Sequence, residues 1–457
     1  EIKSPLQKYR PFNQKIKWLL IMLLAYFFLG VIPLYGLGEN ALQQFDFLSI
    51  ILGAQFGSLI SLGIGPIVTA SIVLQLLSGS GILKIDTTTP EGRAKFQGFN
   101  KVLTIFFIIF ESAIYVLMGG LAPSQNLIGT SSYFTMQLLL ILQLFLGGLL
   151  VVYMDEVVSK YGFGSGVSLF IAGGVASQIF IRAFSPLTSA GKLAIGSGQA
   201  PVGQVWVLFT SLIGGNPIGA GIALATILAT ILVFLFSVYG QSMKIEIPLS
   251  FGRVRGYGIR WPLRFLYTSN IPVILTAALI ANIQLWANLM EKWGHPILGT
   301  FVGSTPATGI VSWLFPPNIV QLILTGSIQF IHLAHATVYG LFLVGGSILF
   351  SVFWVQTSGM DAASQAKQIM ASGLQIPGFR RDPRVLEQIL KRYITPLTVL
   401  GGATIGVLAA TADILGALTN GTGLLLTVMI VYKLYEDIAQ QHMVDMYPGL
   451  RKMMGGG

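Results

Sequence analysis

A chain of 457 residues that is 53% hydrophobic and 10% charged stands far from an ordinary soluble domain, where roughly a quarter of residues are charged, and reads as an integral membrane protein. Its 27 Lys and Arg outnumber 17 Asp and Glu, a net charge of +10, and the lack of Cys excludes structural disulfides and thiolate metal sites. Apolar runs long enough to cross a bilayer, about 20 residues, lie near 18–37, 46–77, 102–121, 134–153, 166–184, 218–240, 268–289, 327–357, 394–413 and 416–435. Ten crossings put both termini on one side.

The first run follows a basic stretch but has no small-residue cleavage site after it, so it reads as a retained span rather than a signal peptide. Because the chain opens at Glu1 without Met, a few residues are expected to have been trimmed or omitted. The second run is interrupted. Residues 45–62, FDFLSIILGAQFGSLISL, carry Gly53, Phe56, Gly57 and Ser58 and run into Gly63-Ile64-Gly65-Pro66 before a second apolar piece continues to Leu77. The pattern predicts a half-helix over about 46–62 that enters the membrane and breaks at the Gly-Pro. Broken backbone at that depth is tolerated only where protein buries it or a cavity hydrates it, so a pathway through the middle is expected.

In the third run, FFIIFESAIYV places Glu111 well inside apolar sequence, and Asp413 falls near the outer end of the ninth. Ion-coupled transporters mark their sites with such residues, but Glu111 reads better as a hydrogen-bonded interhelical carboxyl, and no relay of carboxylates follows it. An intramembrane serine protease would need an activated Ser; Gly162-Phe163-Gly164-Ser165-Gly166 lacks the required turn and a partner His. The two carboxylates at different depths are a poor aspartyl-protease pair. His332 and His335 in FIHLAHA lie three apart, a spacing that suits a metal, yet no third ligand is near. The Gly-rich loops lack the Gly-Lys-Ser/Thr of a P-loop. Neither catalytic residues, nor a metal site, nor a cofactor site is read, and an enzyme is not expected.

The loops decide orientation. Of the 27 Lys and Arg, only Arg182, Lys192 and Lys292 fall in the set of loops opposite the termini, so both ends are expected in the cytoplasm. Two cytoplasmic loops are long and basic. IEIPLSFGRVRGYGIRWPLRF carries Arg253, Arg255, Arg260 and Arg264 in the pattern of a protruding hairpin, and IPGFRRDPR carries Arg380, Arg381 and Arg384. Arg suits phosphate, so docking of RNA or an acidic surface is preferred to simple retention of topology.

The halves repeat. A Pro opens the second span in each (Gly65-Pro66, Ile271-Pro272), and a Gly-x-Gly opens the fifth (Gly164-Ser165-Gly166, Gly421-Thr422-Gly423), as in transport folds built from inverted repeats. Five helices plus five are expected, with branched aliphatics near the starts of these helices meeting at the centre. A secondary transporter of small solutes built on such a repeat is the alternative reading, and the scarcity of buried charge argues against it.

LGIGPIVTASIVLQLL at 62–77, PEGRAKFQG at 90–98, YMDEVVSKYGFGSGVSLFIAGG at 153–174, SNIPVILTAALIANIQLW at 269–286, GFRRDPR at 378–384, KRYITPLTVLGG at 391–402 and GTGLLLTV at 421–428 together resemble the SecY family, the large subunit of the protein-conducting translocon, in its archaeal and eukaryotic alpha-subunit branch. The resemblance implies an all-α protein of ten transmembrane helices in two inverted pseudo-symmetric halves, 1–184 and 218–457. An external hinge over 185–217 would join them, with cytoplasmic loops at about 241–264 and 358–393. It implies that the half-helix at 46–62 is a plug and that Ile64, Val68, Val167, Ile171, Ile274 and Leu426 form a constricting ring; the family favours Ile where Val167 stands. The second and seventh helices would flank a lateral gate, with Gln75 and Asn270 hydrogen bonding near it. Arg253, Arg255, Arg380 and Arg381 would contact ribosomal RNA phosphates. The implied activity is conduction of unfolded secretory chains and lateral release of apolar segments, driven by a docked ribosome. The implied partners are a SecE or gamma subunit, a small beta subunit, the ribosome, signal sequences and nascent chains, and lipids, all at the plasma membrane.

Overall fold

The computed structural model describes residues 2, 11–40, 54–83, 85, 89–124, 126, 131–188, 193–194, 200–251, 258–268, 271–303, 305–371, 374–375, 383–419 and 421–446. Helix α1 (Phe12–Val31) starts within the basic stretch and stops where Ile32 turns extended ahead of Pro33, the conformation preferred before proline. The run expected over 18–37 is thus helical only to Val31, and Leu37–Asn40 is a strand paired with Leu121–Pro123.

Helix α2 (Gly65–Gly79) takes Pro66 in its first turn, where the missing N–H costs nothing. Helix α3 (Pro90–Leu117) opens on Thr89, whose hydroxyl accepts from the Gly92 N–H at 3.1 Å, followed by Pro90 and Glu91; cap, fixed φ and a negative charge at the positive end of the helix dipole all favour initiation there. Helices α4 (Ser131–Tyr161) and α5 (Gly166–Phe184) follow. The expected hinge holds a helix of its own, α6 (Gln204–Ile213). Helix α7 (Pro217–Ser242) is capped by Asn216, and α8 (Ile271–Lys292) is the most enclosed of the long helices.

Two short turns of helix, α9 (Ile310–Trp313) and α10 (Ile319–Leu324), precede α11 (Phe330–Thr357). Then come α12 (Ala362–Ala371), α13 (Pro383–Ile414) and α14 (Gly421–Met446). Among the described residues eight helices are long and apolar enough to cross a membrane; each of the ten expected runs holds α2, α14 or one of these eight.

The helices pack as two sets. Within the first, α2 lies on α3, α3 on α4, and α4 on α1 and α5; within the second, α11 packs on α8 and α13, and α14 on α7 and α13. The sets meet along two seams, α2 against α8 and α11 on one side and α5 against α14 on the other, while α6 touches both α5 and α7. Small residues bring backbones together as membrane helices require: a Cβ at Gly406 of α13 would press on the Val344 backbone of α11.

The first basic loop is the expected hairpin. Its strands, Lys244–Phe251 and Gly258–Arg264, pair antiparallel from Lys244 opposite Arg264 to Ser250 opposite Gly258. The second basic loop joins it: Leu374–Gln375 pairs with Ser250 and Phe251. Beneath the hairpin Ile247 and Leu263 share a small apolar core with Val355, Ile369, Leu386 and Leu390. Beside that core the Tyr267 hydroxyl donates to the Met360 carbonyl at 2.7 Å; burial, helped by the charge of Asp361, pushes the phenol above its ordinary range and keeps the donor protonated.

Candidate conduction pathway and gate

Four helices begin with the Gly and Pro motifs, and the aliphatic residues singled out above sit at or near those beginnings. Ile64 is the residue before α2 and Val68 is one turn later; Val167 and Ile171 lie one turn apart at the start of α5; Ile274 is in the first turn of α8; Leu426 is in the second turn of α14. Ile64, Val68, Ile171, Ile274 and Leu426 are buried in one apolar cluster, and the half-buried Val167 packs against it. Both helix sets thus send branched side chains into a common interior from the ends of helices.

The half-helix expected over 46–62 is not helical where it is described. Residues 54–64 form a succession of turns, with left-handed backbone at Gly57 (φ 94°) and Gly63 (φ 54°), which glycine adopts at little cost. Local side-chain bonds compete with a helix here. Ser58 Oγ donates to the Gln55 carbonyl at 2.7 Å, Ser61 Oγ donates to the Ser58 carbonyl at 2.5 Å, and the Gly57 N–H donates to Ser61 Oγ at 2.9 Å. The segment is also pinned to the chain after α1, since the Leu34 N–H donates to the Gly57 carbonyl at 2.9 Å and the Leu59 N–H to the Ile32 carbonyl at 3.0 Å. Ser58 is buried, and half-buried Phe56 stands 6.5 Å, ring to ring, from Tyr115 of α3. Against this segment α4 comes so close that a Cβ at Gly147 would collide with the Leu59 carbonyl. Gly53 and the expected plug residues before it lie outside the described residues.

At the seam between α2 and α8 the structure shows a polar chain that the sequence reading missed in part. Asn282 Nδ2 of α8 donates to Thr69 Oγ1 of α2 at 3.0 Å, and Thr69 Oγ1 lies 3.1 Å from Glu111 Oε1 of α3 and 2.9 Å from the Gly65 carbonyl. All three side chains are buried, Glu111 to 1% exposure. Its Oε2 has no hydrogen-bond partner among the described residues. Glu111 is the interhelical carboxyl anticipated; Thr69 and Asn282 were not anticipated. A signal existed, because Asn282, Gln284 and Asn288 make α8 unusually polar for a span, but their partners could not be read. Of the expected gate pair, Gln75 is buried with its Oε1 unpartnered among the described residues, and Asn270 lies outside them.

The other flagged residues separate. His332 Nδ1 accepts from the Gln329 N–H at 3.1 Å and so helps to start α11, while the His335 ring lies 4.3 Å from that of Trp313; no group of three or more His, Asp or Glu that could hold a metal is gathered among the described residues. Asp413 is buried and bonded to Tyr339, whose hydroxyl donates at 2.6 Å, and to Thr422, a network apart from that of Glu111. Arg253, Arg255, Arg380 and Arg381 lie outside the described residues. Arg264, at the base of the hairpin, pairs with Glu436 of α14 at 2.7 Å.

Compared with known families, residues 58–435 match the model of the SecY family. The chain belongs to that family. Residues 24–57 match the plug domain of Sec61p, a stretch that runs from α1 to the turn at Gly57. The protein translocase subunit SecY of Methanothermobacter thermautotrophicus is 46% identical, with 100% of this chain and 96% of the relative aligned; that of Pyrococcus furiosus is 42% identical, with 100% and 97% aligned. Among solved structures, one of a protein-conducting channel superposes with a TM-score of 0.81 at 40% identity, covering 98% of this chain and 96% of that one. Sec61 from the canine ribosome-channel complex superposes with a TM-score of 0.78 at 40% identity and the same coverage.

Membership of the family, an all-α multi-pass membrane fold and the function of a protein-conducting channel for secretory chains follow together. A channel needs no catalytic constellation. Apolar side chains at a constriction offer a passing polypeptide no fixed hydrogen-bond partner and discourage continuous water and ions.

Proposed function

We propose that the translocating chain passes between the two helix sets through a collar made by Ile64, Val68, Val167, Ile171, Ile274 and Leu426, sealed on its outer side by the segment ending near Leu62. The observation that supports this most directly is the convergence of these six residues, from the starts of four helices in both sets, on one apolar interior. The α2–α8 seam is the lateral gate for apolar segments, and the chain of Asn282, Thr69 and Glu111 biases it closed. Opening that seam would pivot on the opposite side, where α6 bridges α5 and α7, so 185–217 acts as the hinge between halves 1–184 and 218–457.

With no nucleotide motif in the chain, the driving force comes from outside it. The canine relative is seen in a ribosome-channel complex, and in this chain the strand Leu374–Gln375 pairs with the hairpin strand Lys244–Phe251, which supports a shared docking surface for the two basic loops. A ribosome docked there through Arg253, Arg255, Arg380 and Arg381 would supply the chain directly from translation. Small SecE- or gamma-type and beta subunits complete the complex, in the plasma membrane with both termini cytoplasmic. Replacing the four arginines by Ala should weaken ribosome binding and flatten its dependence on salt by up to about one phosphate contact per residue removed; unchanged affinity and slope would reject the docking site.

The pathway is tested by placing a single Cys at Ile274, on a chain otherwise free of Cys, opposite a Cys-bearing secretory chain stalled on a ribosome. Crosslinking at Ile274 and Val68, and not at the exposed Leu228 of α7 or Phe342 of α11, is expected. A docked complex that crosslinks at neither interior position would remove the collar from the pathway.

A further inference from the structure

Both helices that bring collar residues to the α5–α14 seam are held at their starts by the same device. In the first set Asp155, near the end of α4, accepts through Oδ1 from the Val167 N–H at 2.9 Å, with the Ser165 hydroxyl at 3.4 Å. In the second set Asp413, near the end of α13, accepts through Oδ1 from the Thr422 N–H at 3.1 Å and through Oδ2 from the Thr422 and Tyr339 hydroxyls, Tyr339 at 2.6 Å. The connection between the two helices carries a left-handed glycine in each case, Gly164 (φ 68°) and Gly416 (φ 67°). The first approach is close: a Cβ on Gly166 would lie 2.6 Å from Asp155 Cα.

A carboxylate at this place satisfies an N–H that the helix itself leaves unpaired and complements the helix dipole. It also fixes where along the preceding helix the next one begins. In α5 the N–H that is held belongs to a collar residue, Val167, one turn before Ile171; in α14 it belongs to Thr422, one turn before Leu426. Three collar side chains, Val167, Ile171 and Leu426, thus lie at or one turn beyond the N–H groups that the two aspartates hold.

We infer that Asp155 and Asp413 are paired positioning residues, one for each helix set, that hold Val167, Ile171 and Leu426 in register and thereby set how tightly the resting channel is closed. This rests on the collar proposed above. The collar itself is tested by the crosslink at Ile274, and the aspartates by leak and selectivity, so the two can fail separately.

The experiment uses the full complex with its accessory subunits in vesicles and reads two quantities: ion leak through the resting channel, and translocation of a chain with a shortened apolar signal relative to one with an intact signal. Asp155→Ala and Asp413→Ala should each raise both by about fivefold, the equilibrium shift a lost N-cap produces. Asp155→Asn and Asp413→Asn, which keep an acceptor oxygen, should restore most of the parent behaviour. Asp361 is the control, because its Oδ2 accepts from the Ser364 N–H at 3.1 Å and caps α12, a helix that carries no collar residue; Asp361→Ala should leave both readings unchanged.

If an Ala variant fails to accumulate, Ser165→Ala and Tyr339→Phe each delete one donor to a carboxylate and should raise the leak by a smaller factor. Parent leak and parent selectivity in folded Asp155→Ala and Asp413→Ala, or in the two donor deletions, would overturn the inference, as would an equal effect from Asp361→Ala.

Discussion

Asn282 and Thr69 show how much a single polar contact can weigh inside an apolar seam. Each is buried, and each has the other as a partner across helices 213 positions apart in sequence. Interhelical hydrogen bonds in membranes average about 0.6 kcal/mol and reach about 1.7, so one of them shifts a closed–open balance by roughly threefold to twentyfold and leaves the fold intact. Asn282→Leu should therefore relax the requirement for an apolar signal by about threefold, measured as translocation of a weak-signal substrate, and leave an intact signal unaffected. Glu111 belongs to the same chain of contacts and was visible in the sequence because a charge-bearing residue inside an apolar run stands out. Thr69 was not, since a Thr in a span ordinarily bonds its own helix, as Thr69 also does to Gly65.

The elements divide by what directs them. Helix starts at Pro66, Pro90 and Pro217 follow from local chemistry, and so does the basic hairpin, whose alternation and turn residues are legible in 244–264. The segment over 54–62 is different. Its apolar run has the composition of a helix, yet Gly57, Ser58 and Ser61 fold it into turns, and backbone pairing with Ile32 and Leu34 holds it there. For the hairpin, packing is what anchors it: Leu263 and Ile247 are buried against α11, α12 and α13. Leu263→Ala removes buried side-chain volume worth about 2–5 kcal/mol in a rigid core. The expected outcome is faster limited proteolysis between Phe251 and Gly258, with the helical content unchanged by circular dichroism.

The two helix sets touch along two seams with different character. The α2–α8 side closes through a short polar chain over apolar packing, whereas the α5–α14 side is spanned by α6 and braced by capped helix starts. On the proposal made above, the first side is where an apolar segment leaves for lipid. Because the chain contains no Cys and the side chains of Thr69 and Asn282 meet at 3.0 Å, the double variant Thr69→Cys/Asn282→Cys offers a direct check. Oxidation should block release of apolar segments into lipid, reduction should restore it, and ion leak should stay low in both states. Release that proceeds at the parent rate through the oxidised protein would place the exit elsewhere.

Hydropathy and charge are sums over neighbouring residues, so the sequence alone was enough for the membrane class, the ten apolar runs, and the glycine and proline breaks that begin α2, α5, α8 and α14. The six aliphatic residues near those breaks were named by resemblance to the SecY family, because hydropathy does not distinguish them from other core aliphatics. Tertiary structure decided everything that depends on a partner far along the chain. It turned 54–62 away from a helix, because hydrogen bonds to the chain after α1 outweighed its helical composition. It joined Asn282 to Thr69 and set Asp155 and Asp413 over the starts of the following helices. In each case the free energy lies in a contact between two places, and no property of either place alone records it.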